Sequence, residues 1–341
     1  MNKIVYMLGA GASYGTREKN TDGSDVMGKV IRGVPIVSEI SKSIDNLIIK
    51  IDKNSLENEN NTSADEQQKN ELKQLLLWLK YVCDKNPTID TYAKCLYISK
   101  KTTEYAKLKL ALSIFLILSQ NPHKRDLRYD GFIASLIKED MTFPNDISIL
   151  SWNYDCQLEF AFADYLKASD RYLHNIWNKL NLSNKTIPYK NNNTGFSVIK
   201  LNGTASFFDN NDTIIDLYFA LRMQGILSRL SVLLSGKIDS LKSTLSFAWE
   251  KDSEYLLSIK NKIKDAQILV VIGYSFPYFN REVDRELIQS MTSLEKIYIQ
   301  DPRAEDVKES FEATLPLVSN SKLNYVLRKN LSQFVIPNEL V

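Results

Sequence analysis

Cysteine and histidine are scarce in this chain. Its 341 residues hold three of the first (Cys83, Cys95, Cys156) and two of the second (His123, His174). No C-x-x-C pair occurs, so neither a zinc ribbon nor a disulfide framework is encoded, and an odd, sparse set suits a reducing compartment. A dominant charge is also lacking. The net charge is +2 with 25% charged residues, and no Lys/Arg stripe interleaves with aromatics, so nothing argues for direct nucleic-acid binding or an anionic membrane. Long apolar runs are missing too: Leu110 to Leu118 and Ile268 to Ile272 fall short of the roughly 20 residues a bilayer needs. The first apolar stretch turns to glycine after a handful of residues, which is not a signal-peptide pattern. These absences lead us to expect a soluble, cytoplasmic protein with no metal. A hydrophobic content of 44% over this length allows a substantial core.

What is present begins at residue 3. Lys3-Ile4-Val5-Tyr6-Met7-Leu8 runs into Gly9-Ala10-Gly11-Ala12-Ser13, which reads as a buried parallel strand, a tight turn and the start of a helix. Such a turn cradles a phosphate with backbone N–H groups, or is simply a structural turn with no ligand. The spacing is not that of a dehydrogenase: Tyr14 stands where a third glycine belongs, and Gly15 is one place late. No strand ending in an acid follows at about 20 residues. Residues Met27 to Pro35 read as loop-like.

Further along, Ile36 to Ile44 begins a helical period, and residues 52 to 70 are polar and aperiodic, the best candidate for a mobile loop. Amphipathic helices are predicted over about 71–84, 90–100, 102–120 and 130–140. Strands return at 146–152, 196–201, 267–272 and 296–300, with helices near 155–167 and 280–291, a loop-like stretch from Asn181 to Thr194, and helical patterns over 213–264. Near-continuous apolar strands alternating with helices imply an α/β fold: a doubly wound, Rossmann-like parallel sheet with a helical insertion.

In such a sheet, ligands sit beyond the carboxyl ends of the strands. Those ends read Gly9 to Ser13, Trp152-Asn153-Tyr154-Asp155, Asn202-Gly203-Thr204, Gly273-Tyr274-Ser275-Phe276 and Gln300-Asp301. Five ends that all carry small, amide, hydroxyl or carboxylate groups argue for a polar ligand such as a nucleotide. Trp152, Tyr274 and Phe276 either stack on its ring or form core beside it. Thr88 to Lys94 is a helix cap in preference to a substrate contact. Asp284 either points back to the strand end or lies on a solvated helix face. Arg17 and Arg32 either reach a phosphate or are solvated.

The set GAGAS, SWNYD, IKLNGT, VVIGYSFPYFNREVD and IYIQDP, in this order over residues 3 to 302, resembles the SIR2-like family, the bacterial relatives of sirtuins found in antiphage defence. The resemblance implies one SIR2-like domain over 1–341, with a helical insertion at approximately 36–142 and a second helical segment at 205–265. It implies NAD as substrate or ligand, with Gly9, Ala10, Gly11 and Ser13 at the pyrophosphate. Asn153 would orient the nicotinamide ribose or the attacking water, and Asp155 would help stabilise a developing cation. Gly273 and Ser275 would contact the ribose-phosphate region, Gln300 and Asp301 would hold the adenosine ribose, and Asp284 belongs to the same motif. The family usually has His-Gly where this chain has Asn202-Gly203, and an amide accepts no proton near neutral pH. His123 or His174 would have to fold back to supply a base. Nothing in the chain builds the cysteine-bound zinc module of sirtuin deacetylases, so protein deacetylation is not expected.

The expected function is therefore hydrolysis of NAD to nicotinamide and ADP-ribose by a defence effector that forms a homo-oligomer and answers to a partner protein. The alternative is a weak or silent NAD or ADP-ribose sensor, or a scaffold subunit, acting through that partner.

Overall fold

The computed structural model describes residues 2–56, 63–167, 172–186, 195–208, 241–315 and 323–340. Its strands are β1 (Ile4–Leu8), β2 (Thr16–Lys19), β3 (Asp25–Arg32), β4 (Ile147–Ser151), β5 (Leu182–Ser183), β6 (Ser197–Lys200), β7 (Phe207–Phe208), β8 (Lys242–Ser243), β9 (Ile268–Ile272), β10 (Lys296–Gln300) and β11 (Asn324–Arg328). Seven of them form one sheet in the order β11-β10-β9-β1-β4-β6-β5, and every pairing in it is parallel. The helices are α1 (Ile40–Leu56), α2 (Ser63–Lys85), α3 (Ile89–Ile98), α4 (Thr102–Ser119), α5 (Leu127–Leu136), α6 (Gln157–Ala163), α7 (Leu173–Lys179), α8 (Ser253–Ile263), α9 (Arg281–Ser290) and α10 (Ala304–Glu312).

Strands β1, β4 and β9 are buried along their whole length, which is why β1 and β9 read as unbroken apolar runs and β4 as an apolar run broken only by Ser148 before it ends at Ser151. Alternate side chains face opposite layers. Ile4, Tyr6 and Leu8 pack with residues of α5, α6 and α7, whereas Val5 and Met7 pack with residues of α8, α9 and α10. Each fully buried Ile, Leu or Val stabilises the fold by about 1.5–3 kcal/mol. A third core lies among α1 to α4, closed by Ala205, Phe207, Leu245 and Phe247.

Register brings the strand ends level. Leu8 lies opposite both Ser151 and Ile272, Ser151 opposite Lys200, and Ile272 opposite Gln300. The chain leaves β1 for β4 on one side and later returns to β9 on the other, so the strand order reverses at β1. That reversal is where an open α/β sheet forms its ligand crevice.

Several local expectations are corrected. The glycine turn opens only a short 3-10 helix, Ala10–Ser13, and not an α-helix; the antiparallel β2–β3 ribbon follows. Of the stretch Met27 to Pro35 read as loop-like, Met27 to Arg32 belong to β3 while Gly33 to Pro35 stay outside any strand or helix. Gly28 (φ 78°) lies so close to α1 that a Cβ would meet Lys42 at 2.7 Å. Arg17 neither reaches a phosphate nor is solvated. Its buried guanidinium grips Glu39 by two hydrogen bonds of 2.8 and 2.7 Å, pinning the ribbon to the start of the helical layer. Burial opposes the Glu39 charge, but Arg17 outweighs it and holds the carboxyl below its usual range.

The polar stretch 52–70 is helical over 52–56 and 63–70, and residues 57–62 lie outside the described residues. Its Glu, Gln and Lys are good helix formers on a solvated face, while Ile51 and Leu72 turn inward. Of the segment 205–265, residues 209–240 lie outside the described residues. Within the rest, β7 and β8 pair and the helix is confined to α8. Helices α7 and α10 and edge strand β11 were not anticipated. No helix among the described residues is long and apolar enough to cross a membrane.

Candidate functional site

At the level strand ends lies a cleft of about 710 Å³. Ala10 and Gly11 after β1, Gly273 and Ser275 after β9, and Asp301 after β10 form one wall. The helical layer forms the other, through Ile36, Ser38, Ser41, Asp84 and Thr88, and Arg303 stands at the β10 end. Five of the expected site residues thus meet on one surface, although 262 positions separate Gly11 from Gly273 in the chain.

The glycines have a reason that the sequence reading did not contain. The turns after β1 and β9 interlock: Gly11 N donates to Gly273 O at 2.9 Å and Gly9 N to Ile272 O at 3.1 Å. A Cβ on Gly9 would stand 2.6 Å from Gly273 O, and one on Gly11 2.7 Å from Gly273 Cα. Close approach of two backbones demands glycine here. Gly11→Ala must separate the turns, and a loss of about 1–3 kcal/mol is expected in urea titrations. Ala12 N is also engaged, with Gly9 O at 2.9 Å. Among the described residues nothing accepts from Ala10 N–H, the amide of this turn open to an anion in the cleft.

Asn153 follows β4 on the far side of β1 and clamps the same turn. Its Nδ2 donates to Gly9 O at 2.8 Å and to Ser13 Oγ at 3.1 Å, and among the described residues its Oδ1 has no partner. Ser13 is fully buried and shares a 2.9 Å hydrogen bond with Tyr129 Oη. It therefore braces the turn from below and does not face the cleft. Burial pushes the Tyr129 phenol well above its ordinary value, so it serves as a neutral hydroxyl. Arg128 holds the turn from a third side, donating to Gly11 O and Ala12 O at 3.0 and 3.2 Å while paired with Asp126 at 2.6 Å.

The remaining expected residues divide in the same way. Asp155 is buried; its Oδ1 accepts from Gln157 N, the first amide of α6, at 3.0 Å. Its carbonyl accepts from Lys200 Nζ at 2.5 Å, and Lys200 pairs with Glu159 at 3.1 Å. Asn202, after β6, is buried, and among the described residues its Oδ1 has no hydrogen-bond partner. Asp284 does point back to the strand ends, from full burial: Trp152 Nε1 donates to its Oδ1 at 3.1 Å and Tyr274 Oη to its Oδ2 at 2.7 Å. Burial raises its carboxyl to about 7. Trp152 and Tyr274 stack on each other at 5.9 Å and, like Phe276, are buried core. Gln300 is committed elsewhere. Its Nε2 donates to Asn330 O and Gln333 O, both at 2.6 Å, and its Oε1 accepts from Val335 N at 3.1 Å. The whole amide therefore anchors the C-terminal segment, and of the Gln300-Asp301 pair only Asp301 faces the cleft.

Neither histidine folds back: His123 and His174 are exposed, and neither lines the cleft, nor does Arg17 or Arg32. Thr88 does what was expected of a cap, its Oγ1 accepting from Thr91 N at 3.0 Å, and it lines the cleft as well. Arg128, Tyr129 and Arg303 were missed. The first two sit at the start of a helix whose register on the turn is a tertiary fact, whereas Arg303 could have been found as the cation directly after Asp301-Pro302.

Among the described residues, no group of three His, Cys, Asp or Glu side chains is arranged to hold a metal ion. No protein family matches this chain, and no curated protein matches it significantly.

Proposed function

We propose that this chain is a SIR2-like NAD glycohydrolase, cutting NAD to nicotinamide and ADP-ribose, held in check until a second copy or a partner protein assembles it for defence. The observation that carries the reading is the meeting of Ala10, Gly11, Gly273, Ser275 and Asp301 on one cleft at the point where the strand order reverses. A volume of about 710 Å³ lies within the range of about 300–1,000 Å³ for small-molecule sites. The open Ala10 amide and the Arg303 guanidinium suit a pyrophosphate, and the Asp301 carboxylate suits the two hydroxyls of a ribose.

Cleavage breaks the bond between the ribose C1′ and the nicotinamide nitrogen. The electron pair leaves with nicotinamide, an oxocarbenium-like cation develops, water adds to C1′, and its proton passes to solvent. Asn153, Asp155 and Asn202 lie behind the glycine turn and do not themselves line the cleft. In this reading Asn153, with Nδ2 held by Gly9 and Ser13, acts through Oδ1 on a ribose hydroxyl or the water that reaches past that turn. The Asp155 charge favours the cation. Asn202 offers an acceptor and no base.

That last feature favours a second reading, an NAD or ADP-ribose sensor or scaffold with little turnover. Nicotinamide release from NAD by the purified chain, followed by chromatography, separates the two. Release supports the enzyme. Its absence at high protein concentration, with NAD still raising the melting temperature, supports the sensor; NAD at 100 times its Kd stabilises the folded state by about 2.7 kcal/mol. Restoring a base through Asn202→His is expected to speed release about 100-fold, the low end for one general base. An unchanged rate means that the water needs none.

A further inference from the structure

A second cleft, of about 460 Å³, flanks the segment after β9 and shares no lining residue with the first. Its chemistry is set by Lys94, Trp249, Tyr278, Phe279 and Arg281. Trp249 lies flat on Phe247 (4.8 Å, 4°) and meets Phe279 edge-on at 5.5 Å, making a rigid aromatic floor. Lys94 Nζ lies 4.9 Å from the centre of the Trp249 ring, and the Arg281 guanidinium 5.3 Å from that of Tyr278. Tyr278 itself is 76% exposed, unusual for so large a ring.

The charges in this cleft are unbalanced. Among the described residues neither Lys94 nor Arg281 has a carboxylate within ion-pair distance, and Arg281 Nε is buried with no hydrogen-bond partner. The one acid in the lining, Glu282, is paired with Lys251 at 2.7 Å. A buried donor of a cation is costly to leave unmade, and two cations beside an open aromatic face recognise an anion that carries a flat ring.

We propose that this cleft binds a mononucleotide, the base stacked on Tyr278 and the phosphate held by Lys94 and Arg281. A cavity at the small end of ligand sites, which span about 300–1,000 Å³, holds one nucleotide unit and not a dinucleotide. The site stands apart from NAD cleavage, so it survives or fails independently of that reading.

Calorimetric titration of the full chain with AMP, adenosine and inorganic phosphate tests it. AMP is expected to bind about tenfold or more tighter than adenosine or phosphate, because ring and charge each contribute. Tyr278→Ala and Arg281→Ala should each weaken AMP about fivefold or more. Ser275→Trp, which fills the first cleft, should leave AMP binding within about a factor of two, since sites that share no residues act independently. Absent AMP binding, adenosine or phosphate binding as well as AMP, or indifference to Tyr278→Ala and Arg281→Ala overturns the proposal. Loss of binding in Ser275→Trp overturns it too, because AMP then occupies the first cleft.

Discussion

Asp284→Ala is expected to cost about 3–5 kcal/mol of unfolding free energy, the largest stability loss of any substitution considered for the motif residues. The carboxylate is fully buried and is the acceptor for both Trp152 Nε1 and Tyr274 Oη. Removing it orphans two buried donors at about 1–3 kcal/mol each and leaves a cavity. Those donors follow β4 and β9, so the loss is felt at both walls of the strand reversal. The pH dependence provides an independent check. Burial raises the folded carboxyl to about 7, against about 3.9 in an unfolded chain. Its stabilising contribution is complete below pH ~4 and is lost as pH rises through ~7, with a slope of at most about 1.4 kcal/mol per pH unit. Urea titrations between pH ~4 and ~8 should show wild-type stability falling up to about pH 7 and levelling above it from this group, and the fall should be absent in Asp284→Asn. An unaltered pH profile in that variant would remove the buried acid from the account.

The parallel sheet was legible because buried strands announce themselves: Ile4 to Leu8 and Ile268 to Ile272 are apolar at every position and bounded by glycine. The level edge was legible for the same reason, since the residue after each such run must lie at the carboxyl end. Which of those residues face the cleft was not legible. Ala10 and Ser13 stand three apart in one turn, yet Ala10 is exposed and Ser13 is wholly buried. Only the bonds from Tyr129 and Asn153 decide that. Gln300 and Asp301 are neighbours, yet the first is saturated by the C-terminal segment and the second lines the cleft. Residues 52–56 and 63–70 were misread because solvated helix faces and loops share a composition, and the β2–β3 ribbon because it is held by the buried Arg17–Glu39 pair and not by an apolar pattern. Local periodicity carries layers and edges; side-chain commitments across more than a hundred residues do not register in it.

Those commitments give Asn153→Ala its weight as the decisive variant for the proposed NAD cleavage. Under that proposal the residue has two separable duties. Its Nδ2 ties Gly9 O to Ser13 Oγ, which shapes the turn carrying the open Ala10 amide, and its Oδ1 is the group left for the ribose or the water. Losing the clamp orphans a buried acceptor at about 1–3 kcal/mol and loosens phosphate binding, which appears as a higher KM. Losing Oδ1 removes an interaction that strengthens as the cation forms, which appears in kcat, by about 100-fold or more at saturating NAD. The expected result is therefore a fall in kcat of that size with a smaller rise in KM. A variant that releases nicotinamide at the wild-type kcat, with KM alone raised, would assign Asn153 to the architecture of the turn and leave bond cleavage to other groups. Because Asn202→His acts on the water and not on the turn, its gain should vanish when combined with Asn153→Ala if both serve the same attacking water. If the two effects simply multiply, Asn153 acts on the ribose and Asn202 on the nucleophile, and the division of labour at the ends of β4 and β6 is read directly from the kinetics.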